Sequence, residues 1–363
     1  MDTVVDPRAV AVSRGGGGRK IRRVLLVAVL GLSLSGCLFW QLTAERLLSC
    51  LTMDESIGAF AKSGDRLYLV CGDSWEPTAY LEILDVSDPV APTYAGQPYS
   101  FTKATMGMPS ISVSGDRVFL SGSDMMVVDV SNPSAPTTVK AFPLGGTCCV
   151  AGGYLVVVGA ASYPDLTVKT FALSDLVNPT PPSPVPVGSL TVPAAGGAVI
   201  GKLVTAEGML YVFSELAFTI VDLSTMSSPV CVSATAFSSS VWDGKGLALK
   251  GNCAYLSYAY QGSDGRETGD VMVVDFSNRA APRQVDFLEN VGATIAVSGN
   301  YLLTQKTNTY DPIKVLDISD VFAPRPVASL NVRKSGDWIL PVGDYALVLS
   351  YRQIATALIA PYR

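Results

Sequence analysis

One phrase recurs along this chain, and it constrains the fold more than any other feature. Residues 81–92 read Leu-Glu-Ile-Leu-Asp-Val-Ser-Asp-Pro-Val-Ala-Pro, and residues 126–136 read Met-Val-Val-Asp-Val-Ser-Asn-Pro-Ser-Ala-Pro. Further copies stand at residues 219–229, 272–282 and 314–324, with a worn copy at Phe171–Pro182. Asp85, Asp129, Asp222, Asp275 and Asp317 are the fixed points, at intervals of 44, 93, 53 and 42 residues, and the worn copy fills the widest gap. Self-similarity at a period of roughly 42 residues means a set of like units, each burying its apolar face on the next.

Each unit carries two apolar runs around a Gly-centred turn, such as Ser-Gly-Asp-Arg at 63–66 and 114–117 or Ser-Gly-Asn-Tyr at 298–301. A variable loop follows, then the Asp-ending strand, the Ser-Asp/Asn-Pro turn and a last strand. Short β-branched runs between Gly, Asn, Asp and Pro read as strands and hairpins, and no 3.6-residue periodicity is seen beyond the N-terminus. Four antiparallel strands per unit, repeated radially, predict an all-β propeller. The repeated Asp is expected to cap its own turn by accepting a backbone N–H.

Six units have all four strands, and the seventh has three: Trp338–Val342, Tyr345–Ser350 and Ile354–Ala360. An unfilled fourth position would leave an open sheet edge. Residues 44–53 align with residues 323–332, the last strand of the preceding unit, pairing Arg46 with Arg325 and Leu51 with Leu330. The expectation is therefore a seven-bladed propeller of four-stranded antiparallel blades, its ring closed by an N-terminal strand.

The phrase resembles the LVIVD repeat of bacterial and archaeal cell-surface proteins. That resemblance implies four-stranded propeller blades and says little about activity.

The N-terminus carries a second signal. Arg19-Lys20-Ile21-Arg22-Arg23 precedes the apolar stretch Val24–Leu34, then Leu34-Ser35-Gly36-Cys37. A basic region, a short apolar core and small residues before a cleavage point make a secretory signal peptide. Its ending resembles the bacterial lipobox, which implies that Cys37 is lipidated and becomes the mature N-terminus. An uncleaved signal anchor running on to about Leu42 is the alternative, and both readings put the body outside the cytoplasm. Leu38 stands where many enterobacterial inner-membrane lipoproteins have Asp, which in a Gram-negative host favours the outer membrane. Three segments follow: a signal peptide at 1–36, a lipidated Cys and short tether at 37–43, and one propeller domain at 44–363.

Charge narrows the partners. The chain has 26 basic and 31 acidic residues, a net charge of −5. Beyond residue 36 the balance is 20 against 29, a net −9. An acidic body argues against nucleic acid, whose phosphates need a basic face. The sequence contains no histidine, which excludes Ser-His-Asp and Cys-His catalysis and His-ligated metals. No CxxC motif occurs, and the glycine run at 15–18 has no Lys-Ser/Thr after it, so no cofactor is expected. The loop at 262–270 carries three carboxylates without the spacing of an EF-hand; it reads as a hairpin tip, with Ca²⁺ as the alternative. Six cysteines besides Cys37 allow up to three disulfides, with no pairing preferred.

Function is expected on the face that gathers the variable 2–3 loops (Gly72–Thr78, Ala160–Asp165, Gln261–Asp270 and Thr307–Pro312) and the blade-to-blade connections Ser238–Gly246 and Asn331–Asp337. Trp75, Glu76, Trp242, Asp243, Lys245, Arg333, Lys334, Asp337 and Trp338 fall there. Aromatics rimmed by charge suit a protein interface or a saccharide platform, though each Trp also suits ordinary packing under a loop. The expectation is a membrane-anchored, non-catalytic binding or scaffold module for a protein or polysaccharide of the cell envelope. The alternative is a carboxylate-based or Ca²⁺-dependent hydrolase in the channel. The expected inner strands Ile111–Ser114, Cys148–Ala151, Leu247–Lys250 and Ile295–Ser298 contain no acidic residue, which weighs against it.

Overall fold

In the computed structural model, the repeated phrase supplies the end of the third strand in blades one, two, four, five and six and the turn that leads to the fourth. The structure describes residues 23–25, 47–73, 75–103, 110–162, 164–178, 183–193, 200–214, 217–237, 243–261, 267–306, 311–332, 336–350 and 352–359. Seven antiparallel sheets follow one another along the chain. Their innermost strands are Ile57–Ser63, Ser110–Ser114, Thr147–Ala151, Ile200–Ala206, Asp243–Lys250, Thr294–Ser298 and Trp338–Val342. Each of these packs against the innermost strand of a neighbouring blade, around a central channel.

The turn chemistry accounts for the spacing of the phrase. Asp85, Asp129, Asp222, Asp275 and Asp317 each accept, through Oδ1, the backbone N–H two residues on, at 2.9, 2.8, 2.7, 2.9 and 2.8 Å. Three residues later the pattern repeats in four blades: Asp88, Asn132, Asn278 and Asp320 accept from Val90, Ser134, Ala280 and Phe322 at 3.0–3.2 Å. Two consecutive Asx turns thus reverse the chain. Just before the Asp, the pairing of third and outer strands shifts by one residue, at Val127/Val128, Ile220/Val221, Val273/Val274 and Val315/Leu316. A bulge at the same place in four blades gives each outer strand the same extra twist.

Burial lies between blades rather than within them. Seven apolar clusters among the described residues occupy the seven junctions. The richest in aromatics joins blades four and five, where Tyr211, Phe213, Phe218, Tyr258 and Phe276 meet with ring centroids 5.0–6.3 Å apart. Side chains from one blade also grip the turn of the next: Thr170 donates to the Met226 carbonyl at 2.6 Å and Tyr255 to that of Val321 at 2.8 Å.

The ring closes as the sequence predicts. Leu47–Thr52 is the fourth strand of blade seven, with Leu47 opposite Ala357 and Thr52 opposite Gln353. Leu51 is 3% exposed, matching the 2% of its counterpart Leu330. Thr356 completes the junction by donating to the Pro89 carbonyl at 2.7 Å. Residues 44–46 of the expected strand lie outside the described residues, as do Cys37 and the tether. Arg23–Leu25 add a fifth strand along the outer edge, opposite Leu51 to Ser49. They fall within the segment read as the signal peptide, and closure by Leu47–Thr52 is complete without them. Among the described residues no helix is long and apolar enough to cross a membrane.

Several details depart from expectation. The worn copy carries a short helix, Leu173–Val177, where the others have the Asp turn. Leu176 is buried beneath it, and the Lys140 ammonium donates to the carbonyls of Asp175 and Asn178 at its end. With Ala172 in place of the capping Asp, no side chain holds the Asx turn, and the chain winds on instead. The outer strand of blade one is split into Thr93–Tyr94 and Tyr99–Thr102. A Cβ at the intervening Gly96 would lie 2.0 Å from the Pro133 carbonyl oxygen. None of the six described cysteines is joined in a disulfide. Cys71, Cys148 and Cys253 are buried in strands, and burial raises the Cys148 thiol to about 11 and that of Cys253 to about 12.

Candidate functional site

The two faces of the disc differ in kind. One collects the first–second and third–fourth turns, with their repeated Gly and Asp. The other collects the second–third loops and the connections between blades, and the channel opens on it into a cavity of about 330 Å³. Inner strands of blades one, four, five, six and seven supply its walls, through Phe60, Lys202, Lys245 to Leu247, Ala293 to Ile295, and Asp337 to Ile339.

The wall from blades six and seven is fixed by backbone contacts. Asp337 N–H donates to the Leu349 carbonyl at 2.8 Å. The Thr294 hydroxyl donates to the carbonyls of Gly336 and Asp337 at 3.0 and 3.2 Å. Gly336 is needed there, since a Cβ would lie 2.5 Å from Oε1 of Gln305 and 2.6 Å from a Val348 methyl. These contacts deliver Trp338 half-buried at the rim, with its ring edge-on to Phe60 at a centroid distance of 5.8 Å. On the blade-five side, Gly246 lets the strand approach its neighbours: a Cβ would meet Oγ of Ser257 at 2.5 Å and Ile295 at 2.8 Å.

Lys202 enters from blade four, and its ammonium lies 5.8 Å from the centre of the Phe60 ring, a cation–π distance. Water reaches the side chain through the open mouth, yet protein surrounds it in the channel. That confinement lowers its pKa below that of an ordinary lysine. Asp337 is the single carboxylate among the lining residues, against two ammoniums.

Of the residues picked out by sequence, Lys245, Asp337 and Trp338 come together at this cavity. Trp75 and Glu76 sit apart on the second–third loop of blade one, where Trp75 is 76% exposed. Asp243 begins the inner strand of blade five rather than ending a loop. Trp242, Arg333 and Lys334 lie outside the described residues. Sequence reasoning missed Phe60, Lys202 and Thr294. A lysine inside an otherwise apolar inner strand was the available signal for Lys202.

Two of the four expected loops, Ala160–Asp165 and Gln261–Asp270, are shorter than read, because strands run into them. Tyr154–Ser162 and Asp165–Ala172 nearly meet, and Cys253–Gln261 pairs with Glu267–Asp275. The acidic loop of blade five therefore ends before Asp270. That residue is 3% exposed, and its carboxylate accepts from Asn290 N–H at 2.7 Å and from the Tyr260 hydroxyl at 3.2 Å. It holds the blade together rather than facing a loop ion, and Asp264 lies outside the described residues. No group of three potential metal ligands occurs among the described residues.

Comparison with known proteins agrees with this architecture. The LVIVD repeat family matches residues 68–97 and 108–142. The chain carries LVIVD repeats. In the structure these two stretches are the second to outer strands of blade one and almost all of blade two. No curated protein sequence matches. Among solved structures, a chain of the mitotic checkpoint complex superposes with a TM-score of 0.62 at 8% identity, covering 92% of this chain and 98% of that one. A protein from Lactobacillus plantarum gives 0.54 at 12% identity, covering 78% and 86%. Sqt1 of Saccharomyces cerevisiae gives 0.55 at 9%, covering 82% and 80%. At these identities the likeness is one of fold alone.

Proposed function

We propose that this LVIVD-repeat propeller is a membrane-anchored, extracytoplasmic, non-catalytic module that binds a protein or polysaccharide of the cell envelope through its channel-mouth face. The carrying observation is the mouth itself, where Phe60, Lys202, Lys245, Thr294, Asp337 and Trp338 from five separate blades line one cavity. A rigid ring presenting variable loops is a common arrangement for binding. The membership of a similar fold in the mitotic checkpoint complex supports a protein partner by analogy of fold. A hydrolase site is less well supported: glycoside hydrolysis uses two carboxylates across the substrate, and Asp337 is alone among the lining residues.

Anchoring rests on the lipobox at Cys37, and the closure gives it a direction. The strand enters at Leu47, level with Ala357 on the turn face, and leaves at Thr52 on the mouth face. The nine residues between Cys37 and Leu47 span at most about 30 Å. A lipid on Cys37 would therefore hold the turn face toward the bilayer and the mouth away from it.

The test has two arms. Wild-type protein should sediment with membranes and Cys37→Ser should not; equal sedimentation removes the lipid anchor. Wild-type protein should retain an envelope component that Trp338→Ala loses; equal retention of every component by both forms removes the mouth from the reading.

A further inference from the structure

We propose that the channel mouth is a site for a small acidic sugar, a uronic-acid ring whose carboxylate meets Lys202 and whose hydroxyls meet Lys245 and Asp337. This rests on reading the mouth as a binding face and specifies the ligand chemistry that face would take.

Four observations converge on it. The first is size. At about 330 Å³ the cavity lies at the small end of ligand sites, with room for one or two rings rather than for an extended protein segment. The second is charge. The body of the chain beyond residue 36 carries a net −9, yet the cavity is lined by two lysines and one aspartate. A cleft of opposite sign to its surroundings concentrates the counter-ion that fits it.

The third is the position of Lys202. Among the described residues its ammonium has the Phe60 ring as neighbour, and no carboxylate contributes to its electrostatics. A carboxylate entering the mouth would reach this solvent-accessible ammonium and accept a charge-assisted hydrogen bond from it. The fourth is the mixture of groups. Phe60 and Trp338 offer apolar ring surface, while Lys245, Asp337 and the Thr294 strand offer donors and acceptors. Sugars need both kinds of contact, since their C–H faces pack on aromatics and their hydroxyls need hydrogen bonds.

A linked proton effect follows. The surrounding protein lowers the Lys202 pKa, and a bound carboxylate would raise it. Affinity should fall as pH rises through the lysine's range, and Lys202→Arg should move that fall to higher pH.

The test is a ligand-observed NMR titration of the full chain in neutral detergent, with glucuronate, glucose and phenylpropionate as probes. The proposal expects glucuronate to bind at least tenfold more tightly than the other two. Lys202→Met should remove that preference, Lys202→Arg should keep it, and Trp75→Ala should leave it unchanged. Equal binding of glucose and glucuronate would overturn the role of Lys202. Tighter binding of phenylpropionate would overturn the sugar and point to a peptide carboxylate. If Lys202→Met does not fold, the Arg variant and the pH dependence decide. Cys37→Ser sedimentation is independent of this result, so failure of the anchor and failure of the ligand are told apart.

Discussion

The turn face and the mouth face are built from the same seven blades by opposite rules. On the turn face the same Asp serves five times, each carboxylate held by the backbone and hydroxyl of the Ser two residues on. On the mouth face the five blades that line the cavity supply Phe60, Lys202, Lys245, Thr294 and Trp338, four residue types where the turn face repeats one. Repetition marks residues that every blade needs in order to fold. Variation marks residues that no blade needs, which leaves them available for a ligand.

The largest expected effect tests the closure on which both faces depend. Deleting residues 44–53 removes the fourth strand of blade seven and exposes the apolar seam to blade one, where Leu51 and Met53 are buried. Leu51→Ala alone should cost about 2–4 kcal/mol, and the deletion should abolish cooperative unfolding or lower the melting temperature well beyond the point variant. Unchanged calorimetric melting would end the closed-ring account.

Next comes acid. Hydrogen bonds hold Asp85, Asp129, Asp222, Asp275 and Asp317 below the ordinary 3.8 in the folded chain. A carboxyl depressed by folding contributes stability above its unfolded pKa and loses it as pH falls through the folded value. Melting temperature should be level from neutrality to about pH 5 and drop below about pH 4. Asn at both 129 and 222, which keeps the Oδ1 acceptor, should make that drop shallower; an unaltered acid limb would show that other groups set it.

A single turn should matter less. Asp129→Ala removes the Ser131 contact and the 2.8 Å pair with Arg117, at a cost of about 1 kcal/mol in urea titration. The smallest effect belongs to the other face. Trp75 is 76% exposed, so Trp75→Ala should change stability by less than about 0.5 kcal/mol. A loss larger than that of Asp129→Ala would erase the contrast between the faces.

The same contrast explains what the sequence could reveal. Asx turns depend on residues two or three apart, so their requirements stay local and appear as a phrase. The closing strand was legible because Leu51 meets the same burial as Leu330 and carries the same residue. Blade three was harder, because the loss of its Asp allowed a helix that no repeat pattern encodes. The cavity was only partly legible. Lys245, Asp337 and Trp338 could be assigned to a face by loop order, but Phe60 and Lys202 approach Trp338 only once the ring has closed. The signal for that meeting is spread over some 280 residues of chain.

The closing strand also determines how the molecule would bear tension. Strand Leu47–Thr52 runs from the turn face to the mouth face, antiparallel to Gln353–Leu358. If Cys37 carries the proposed anchor, a pull between it and a ligand held at the mouth would act along that strand, across the direction of its ladder bonds. The bonds are then loaded together in shear rather than broken one by one from an end, so the seam that joins the two ends of the chain is oriented to act as a clasp under load.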